Sequence, residues 1–230
     1  MGQGTIREAF MTTPPQQQKF ISIGLAGGIG SGKSTVAREI CSAVDGQHID
    51  ADAIVSKLLQ GEALVNSIVG AFGGEVCDDL GNLDRAKLGK VVFANEDLRL
   101  KLESMLHPLV RENIITEISF LASELPNGII LLDIPLLFEG GLNKLCDLVV
   151  FVDTPDEQRA ARACQRHNWS IEDWQAREKM QMSIASKKSL ADVIVCNDTT
   201  LSALRKQIEL LVPRLKNLTP RTLSSRWPQT

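Results

Sequence analysis

The sequence predicts an α/β protein in which helices cover both faces of a parallel sheet. Four short runs of the chain are almost continuously apolar, a pattern typical of strands that are buried on both faces. Helical segments separate these runs, and such alternation of strand and helix is characteristic of the α/β class. A glycine-rich segment lies between the first run and the helix predicted after it, which suits a turn at the edge of such a sheet.

Composition and charge limit the kind of protein that this chain can be. It has 230 residues, of which 43% are hydrophobic and 23% charged, which suits one globular domain with a small inserted subdomain. The formal net charge of −3 offers no basic surface for nucleic acid. No apolar run approaches the roughly 20 residues of a membrane-spanning helix, and the first residues lack the pattern of a secretory signal. We therefore expect a cytoplasmic protein with no nucleic-acid partner and no membrane partner.

The five cysteines are scattered, odd in number and include no C-x-x-C pair. That distribution argues against a disulfide framework and against a structural zinc site. We expect five reduced thiols.

The elements follow in a regular order. The apolar runs at 20–26, 128–133, 147–153 and 192–196 are predicted strands, and a shorter run at 47–50 supplies a fifth. Helices are predicted at 34–44, 155–166 and 201–215, with several more between 53 and 125. Thr154 precedes Pro155 and lies three residues before Glu157, which is typical of a helix N-cap with a capping box.

Domain boundaries follow from changes in composition. Residues 1–18 are polar and aperiodic and are predicted to be a flexible extension, and residues 217–230 a flexible tail. The domain itself spans 19–216. Its helical stretch at about 53–125 is too long for one crossover, so we expect an insertion beside the sheet. The polar stretch at about 169–188, which precedes the last strand, is a candidate mobile lid.

The strongest motif is the glycine-rich segment 27–34, which fits G-x-x-x-x-G-K-[ST] at every required position. Glycines allow consecutive backbone amides to surround an anion at a helix N-terminus, so this loop is predicted to bind ATP phosphates. Lys33 is expected to reach the β- and γ-phosphates, and the Ser34 hydroxyl to ligate Mg²⁺. The residues predicted to bind ATP here are Gly28, Gly30, Ser31, Gly32, Lys33, Ser34 and Thr35. A tight turn without a ligand is the alternative.

Two acidic residues follow the short predicted strand. Asp50 and Asp52 would emerge at the sheet edge that faces the phosphate loop. A carboxylate there can accept a hydrogen bond from an acceptor hydroxyl and take its proton. The alternative for either residue is a helix N-cap. A guanine-specifying N-K-x-D is missing because Cys146 stands where the motif has Asp, so a GTPase switch is disfavoured.

Basic residues cluster late in the chain. Arg159, Arg162 and Arg166 are spaced i, i+3 and i+7, hence on one helix face. Arg177 and two lysines follow in the candidate lid. Arginines that close over a transferring phosphoryl group neutralise its charge and exclude water. A solvated basic helix face is the alternative.

Several segments resemble dephospho-CoA kinases. The stretch ISIGLAGGIGSGKSTVA is similar to the family's phosphate loop, IDADAI to its Asp-Ala-Asp segment, LHPLV to its Leu-His-Pro motif, LLDIPLLFE to its Asp-x-Pro-Leu-Leu-Phe-Glu segment, and ADVIVCN to its closing strand. The resemblance runs from about residue 20 to 215. It departs at Arg159, Gly89 and Asp198, where the family commonly has Gln, Arg and Gly.

This resemblance implies roles for individual residues. Asp52 falls at the family's catalytic acid/base position, and Arg162 and Arg166 match its lid-helix arginines. Arg177 follows its Ala-x-Arg pattern loosely, and Asn197 is expected to contact adenine.

Two further residues have an alternative reading. Asp133, at a strand end, is expected near Mg²⁺ or the substrate phosphates, or else caps a loop before Pro135. His107 is expected on the substrate side, or else is structural.

Together these features predict a three-layer P-loop NTPase fold with a five-stranded parallel sheet, a helical substrate-binding insertion and a lid. The implied reaction is transfer of the ATP γ-phosphate to the 3′-hydroxyl of dephospho-CoA, with Mg²⁺ as cofactor and Lys33, Asp52, Arg162 and Arg166 as catalytic residues. Another small-molecule kinase and an ATP-hydrolysing switch are the alternatives. The oligomeric state is left open.

Overall fold

The computed structural model of the chain describes residues 18–226. The extension predicted for residues 1–18 lies outside this range except for its last residue, and residues 227–230 of the predicted tail also lie outside it.

Five strands form the body of the sheet, and their spatial order is β2-β3-β1-β4-β5. The central strand β1 pairs in parallel with β3 on one side and with β4 on the other, and β4 pairs in parallel with β5. The bounds are Lys19–Ala26 for β1, Gln47–Asp50 for β2, Ile129–Asp133 for β3, Leu148–Asp153 for β4 and Val193–Cys196 for β5. All five predicted strands are therefore present, within a few residues of their predicted bounds.

Successive side chains of each strand point to opposite faces of the sheet, and both faces are buried. Ile21, Ile23 and Leu25 of β1 lie in the main core. Two helices complete that core, α1 (Lys33–Val44) and α9 (Leu201–Lys216), and they pack against each other. Residues of the opposite face, such as Ile130 and Leu132, are equally inaccessible to solvent. This double burial is the physical reason that the strands read as continuous apolar runs.

Residues 50–117 form a second compact unit of helices, whereas residues 18–49 and 118–226 form the unit that contains the sheet. The helices here are α2 (Ala51–Leu58), α3 (Glu62–Phe72), α4 (Arg85–Ala94) and most of α5 (Glu96–Glu124), with a 3₁₀ turn at Gly74–Val76. Ile68, Phe72, Val76 and Leu88 give the unit a core of its own. The range predicted for the insertion, 53–125, contains these helices except for the first two residues of α2.

Three helices lie between β4 and β5: α6 (Asp156–His167), α7 (Ile171–Lys179) and α8 (Ile184–Leu190). Ala160 and Ala163 of α6 form a small core with Trp174 of α7. A 3₁₀ turn at Leu142–Leu145 precedes β4. The candidate lid thus comprises α7 and most of α8, and its first helix is packed against α6 by a buried tryptophan.

The tail predicted as flexible differs from the structure in its described part. Residues Arg221–Thr222 form a sixth strand, β6, which pairs antiparallel with the start of β1. The Arg226 side chain is buried and donates to the Phe20 carbonyl oxygen over 2.6 Å. Its guanidinium also lies over the Phe20 ring and bonds to the Asp147 carboxylate. The polar composition that suggested disorder therefore reflects arginines paired with a carboxylate across the sheet.

No helix between residues 18 and 226 is long and apolar enough to cross a membrane. All five cysteines fall within this range, and none of them is paired in a disulfide there.

Candidate active site

The glycine-rich loop joins β1 to α1 at the edge of the sheet. Gly32 is the N-cap of α1, and no side chain caps the first turn of this helix through a hydrogen bond. The Lys33 Nζ lies 3.4 Å from the carbonyl oxygens of Gly27 and Gly28, which places its ammonium group over the loop. Uncapped amides at a helix start and a lysine above them form a site for an anion such as a phosphate group.

Gly32 is required at its position for two reasons. Its φ of 85° lies in the left-handed region. A Cβ atom there would also approach the Asn197 Nδ2 to 2.3 Å. That amide donates to the Ser31 carbonyl oxygen over 2.8 Å, so the residue after β5 is bonded directly to the phosphate loop. The observed bond makes Asn197 a support of the loop, and the adenine contact that the resemblance implies for this residue stays a prediction.

Ser34 and Asp133 are brought together from positions far apart in sequence. The Ser34 hydroxyl donates to Asp133 Oδ2 over 2.9 Å. Asp133 ends β3, next to β1 in the sheet, and its side chain is buried. His48 of β2 lies 3.8 Å from the same carboxylate oxygen. Of the two roles predicted for Asp133, proximity to Ser34, the predicted metal ligand, fits this geometry better than a loop cap.

The donor chemistry of this pair fits a Mg²⁺ ion. A hydroxyl and a carboxylate are hard oxygen ligands, and Mg²⁺ in nucleotide sites keeps most of its shell for water and phosphate oxygens. In the part of the chain that the structure describes, no three His, Cys, Asp or Glu side chains gather into a group able to hold a metal alone. Ser34 and Asp133 are therefore a partial shell that suits a metal arriving with a nucleotide.

Thr154 differs from its predicted role. It does not cap α6, whose N-cap is Pro155 without a side-chain hydrogen bond. Instead its hydroxyl lies 3.0 Å from the Ser31 carbonyl oxygen and 3.2 Å from that of Asn197. A buried loop carbonyl needs a donor, which explains why the hydroxyl turns toward the loop. Thr154 is a loop-supporting residue that sequence reasoning missed, although its place directly after β4 was a usable signal.

The arginines of α6 have different surroundings. Arg162 is exposed and both of its terminal nitrogens donate to the Asn197 carbonyl oxygen over 3.1 Å. Arg166, in the last turn, is also exposed. Arg159 is only 2% exposed and forms ion pairs with Glu178 and Asp156. Arg162 and Arg166, four residues apart, therefore share an exposed face of α6, whereas Arg159 points into the protein. The role of the two exposed arginines at a phosphoryl group stays a prediction.

Arg177 of α7 lies in the candidate lid. Its guanidinium stacks over the Trp169 ring at 4.1 Å, and it pairs with Asp173 at 3.6 Å. The His167 ring also stacks on Trp169, with 4.4 Å between the two ring centres. The arginine is thus held in place by an aromatic ring on its own segment.

The lysines of α8 are used internally. Lys187 is 1% exposed and its ammonium lies 3.0 Å from Glu139. Glu139 also accepts the backbone N–H of Met182 over 2.9 Å. Lys188 pairs with Asp153 at the end of β4, over 2.6 Å. Sequence reasoning gave these lysines to a cluster facing phosphate, but their charges are balanced by carboxylates of the sheet unit.

Asp52 and His107 belong to the helical unit, and Asp50, the last residue of β2, differs from Asp52 in its contacts. Asp50 is the N-cap of α2 and accepts the backbone N–H groups of Asp52 and Ala53 over 2.9 and 3.1 Å. Asp52 lies in the first turn with an exposed side chain, and His107 is exposed before Pro108 in α5. The capping role therefore falls to Asp50, and the catalytic role of Asp52 stays a prediction.

A parallel sheet with a phosphate loop after its central strand, and a Ser–Asp pair at that loop, defines a nucleotide-binding protein of the P-loop class. Comparison with known proteins identifies the group within this class. The chain belongs to the dephospho-CoA kinase family, whose model matches residues 21–203. Members are ATP-dependent phosphotransferases that act on a hydroxyl group, and this chain is an enzyme of that kind. The fold and family predicted from the motifs are confirmed.

Individual relatives support this assignment. A Bacillus cereus dephospho-CoA kinase is 39% identical over 198 residues, which cover 84% of this chain and 96% of the relative. That of Carboxydothermus hydrogenoformans is 39% identical over 197 residues, covering 84% and 94%. Among solved structures, a Thermus thermophilus protein superposes with a TM-score of 0.71 at 32% identity, covering 85% of this chain and 98% of its own. Dephospho-CoA kinase from Campylobacter jejuni gives 0.61 at 29%, covering 85% and 96%.

Proposed function

We propose that this enzyme transfers the γ-phosphoryl group of ATP to the 3′-hydroxyl of the dephospho-CoA ribose, giving CoA and ADP. The observation that supports this acceptor is the extent of the family match, which runs from residue 21 to 203. That range contains the phosphate loop and the whole helical unit at 50–117, where an acceptor-binding region is expected. A shared phosphate loop alone would have indicated only a nucleotide.

Mg²⁺ is the divalent ion that we propose accompanies ATP. Ser34 and Asp133, with their 2.9 Å hydrogen bond, would hold it. When bound, the ion supplies positive charge that neutralises the phosphate oxygens during transfer.

The protein groups that handle the phosphates come from three elements. The backbone amides of the loop other than that of Ile29, together with those of the first residues of α1, surround the phosphate chain, and Lys33 adds a full positive charge. Arg162 and Arg166 of α6 and Arg177 of α7 contribute further cationic groups around the transferred group and the acceptor.

The acceptor hydroxyl needs a base as its oxygen attacks phosphorus. Asp52 accepts a hydrogen bond from the 3′-hydroxyl and takes its proton while the new O–P bond forms and the bond to ADP breaks. His107, also in the helical unit, is proposed to contact the remainder of dephospho-CoA.

The first test measures ADP release from the purified protein with ATP and Mg²⁺, with and without dephospho-CoA. We expect strong stimulation by dephospho-CoA in the wild type. Asp52→Asn should reduce the stimulated rate by about 10²- to 10⁴-fold, the usual contribution of a general base. Asp50→Asn is the matched control, because Asn caps helices as well as Asp does and should leave the rate nearly unchanged.

Other results would point elsewhere. If ATP binds but dephospho-CoA leaves ADP release unchanged, the acceptor assignment fails and other hydroxyl acceptors must be screened. Slow ATP hydrolysis that no acceptor stimulates and that Asp52→Asn does not alter would favour an ATP-driven switch.

A further inference from the structure

Both backbone polar groups of Ile29, in the middle of the phosphate loop, are bonded to side chains from helices that follow β4. Its N–H donates to Glu178 Oε2 over 3.1 Å. Its carbonyl oxygen accepts from Arg159 Nη1 over 3.3 Å and from the Trp174 indole over 3.4 Å. No element adjacent to the loop in sequence contributes to this set, so the first half of the loop is held from outside.

The charge of Arg159 is paired within this cluster. The Arg159 guanidinium donates to Glu178 Oε1 over 2.6 Å and to Asp156 over 2.8 Å. The Cζ atom of this guanidinium lies 5.2 Å from the Trp174 ring centre. Arg159 is 2% exposed and Trp174 6%, and a buried guanidinium with this fixed set of partners has little conformational freedom. The cluster is therefore a rigid surface against which the loop rests.

The loop is shaped to approach this surface. A Cβ atom at Gly30 would lie 2.2 Å from the Arg159 backbone oxygen, and the φ of Gly30 is 84°. Only glycine allows that approach and that backbone angle together.

We propose that Arg159, Glu178 and Trp174 are positioning residues that hold the first half of the phosphate loop in its nucleotide-binding conformation through the two backbone groups of Ile29. A glycine-rich loop loses much conformational entropy when it closes around phosphate. Holding Ile29 beforehand removes part of that loss, so the cluster increases the affinity for nucleotide. Because Glu178 and Trp174 belong to α7, the same contacts tie this helix of the candidate lid to the loop.

This inference rests on the proposed nucleotide site and predicts a selective effect on nucleotide binding. Glu178→Met removes the acceptor for the Ile29 N–H while keeping the side-chain length, and Glu178→Gln retains an acceptor oxygen. We expect ADP, titrated calorimetrically with Mg²⁺, to bind about tenfold more weakly to Glu178→Met, as for loss of a hydrogen bond to a charged group. Glu178→Gln should lie between it and the wild type. The KM for ATP should rise in parallel, while the KM for dephospho-CoA stays unchanged.

Exchanging the charges of Arg159 and Glu178 distinguishes an effect on the position of the loop from an effect on the stability of the fold. Arg159→Glu combined with Glu178→Arg keeps an ion pair but presents a donor to the Ile29 N–H and an acceptor to its carbonyl oxygen. We expect the thermal midpoint of the double variant to exceed that of either single reversal while ADP affinity stays low. Arg205→Gln, which breaks the surface pair with Glu39, is the control and should leave ADP affinity unchanged.

The contrary results are distinct. A folded Glu178→Met protein that binds ADP as tightly as the wild type would overturn the inference, as would restored ADP affinity in the charge reversal. Should the reversal not fold, the comparison of Met with Gln at position 178 decides. A wild-type protein that does not bind ADP with Mg²⁺ would instead refute the proposed nucleotide site.

Discussion

At the scale of single residues, the bond between Ser34 and Asp133 connects the phosphate loop to the neighbouring strand. The bond pairs an exposed hydroxyl at a helix start with a buried carboxylate. In the helical unit, the Asp50 carboxylate caps α2, so this cap does not depend on Asp52.

This pairing predicts a specific metal phenotype. Asp133→Asn removes a negative charge beside Ser34 and should raise the Mg²⁺ concentration needed for half-maximal ADP release by about 10- to 100-fold, as for loss of a group that supports a metal ligand. A Mg²⁺ titration at saturating ATP measures this. An unchanged midpoint would separate Asp133 from the metal.

The thiols differ in the reactivity that their surroundings allow. Burial raises the pKa of Cys146 to about 12 and that of Cys41 to about 11, because the thiolate is disfavoured away from water. Because pH 8 is below both pKa values, these two thiols stay protonated there, whereas Cys196 is exposed. A short maleimide treatment followed by mass spectrometry should modify Cys196 and spare Cys146. Modification of Cys146 in the folded protein would contradict this.

At the scale of elements, α7 and α8 are joined to the rest of the sheet unit by charged side chains as well as by apolar packing. Lys187 and Glu139 link α8 to the segment after β3, and Lys188 links it to the end of β4. Glu178 links α7 to the phosphate loop. Deletion of 169–188 would therefore remove loop supports together with the lid, so point substitutions are the sharper probe.

Lys187→Met should destabilise the protein, because it leaves the partly buried Glu139 carboxylate without its cation. Removing one partner of such a pair costs about 3–5 kcal/mol. The double variant Lys187→Met with Glu139→Leu should recover most of that loss, since neither charge then remains. Urea denaturation of the three proteins gives the free energies of unfolding. Equal stabilities for the single and double variants would show that the charge pair is not the cause.

At the scale of the whole molecule, residues 221–226 lie beyond the range of the family match and contact the sheet at the start of β1. We call Arg221, Arg226 and their partner Asp147 the C-terminal clasp. Asp147 accepts from the Ser22 backbone over 2.8 Å, pairs with Arg221 over 2.5 Å and also bonds to Arg226. Burial lowers the pKa of the Arg226 guanidinium, and the Asp147 charge opposes that shift. The family model ends at residue 203, so both arginines of this clasp lie outside the matched range, whereas Asp147 lies within it.

Ending the chain after Lys216 should therefore lower stability without altering the phosphate loop. The truncation removes both arginines from Asp147 and uncovers Phe20, which is 1% exposed in the intact fold. We expect a loss of about 3–5 kcal/mol in the free energy of unfolding, with the KM for ATP unchanged at temperatures where the protein is folded. Arg205→Gln is again the control. A truncated protein as stable as the full chain would refute the clasp.

The chain by itself determined what depends on neighbours in sequence. The apolar runs specified the strands because the sheet is buried on both faces, and segment 27–34 specified the phosphate loop because its glycines, lysine and serine act within one turn. The motif order also indicated the family. The predicted roles of Asp52, His107, Arg162, Arg166 and Arg177 remain to be tested.

Only the tertiary structure decided which side chains become partners. Arg159 and Glu178 are 19 residues apart, Arg226 and Asp147 are 79 apart, and Ser34 and Asp133 are 99 apart. A single arginine or carboxylate has the same local sequence signal whether it is solvated or buried in a pair. Its function depends on which residues the fold places within hydrogen-bonding distance, and neither propensity nor spacing encodes that distance.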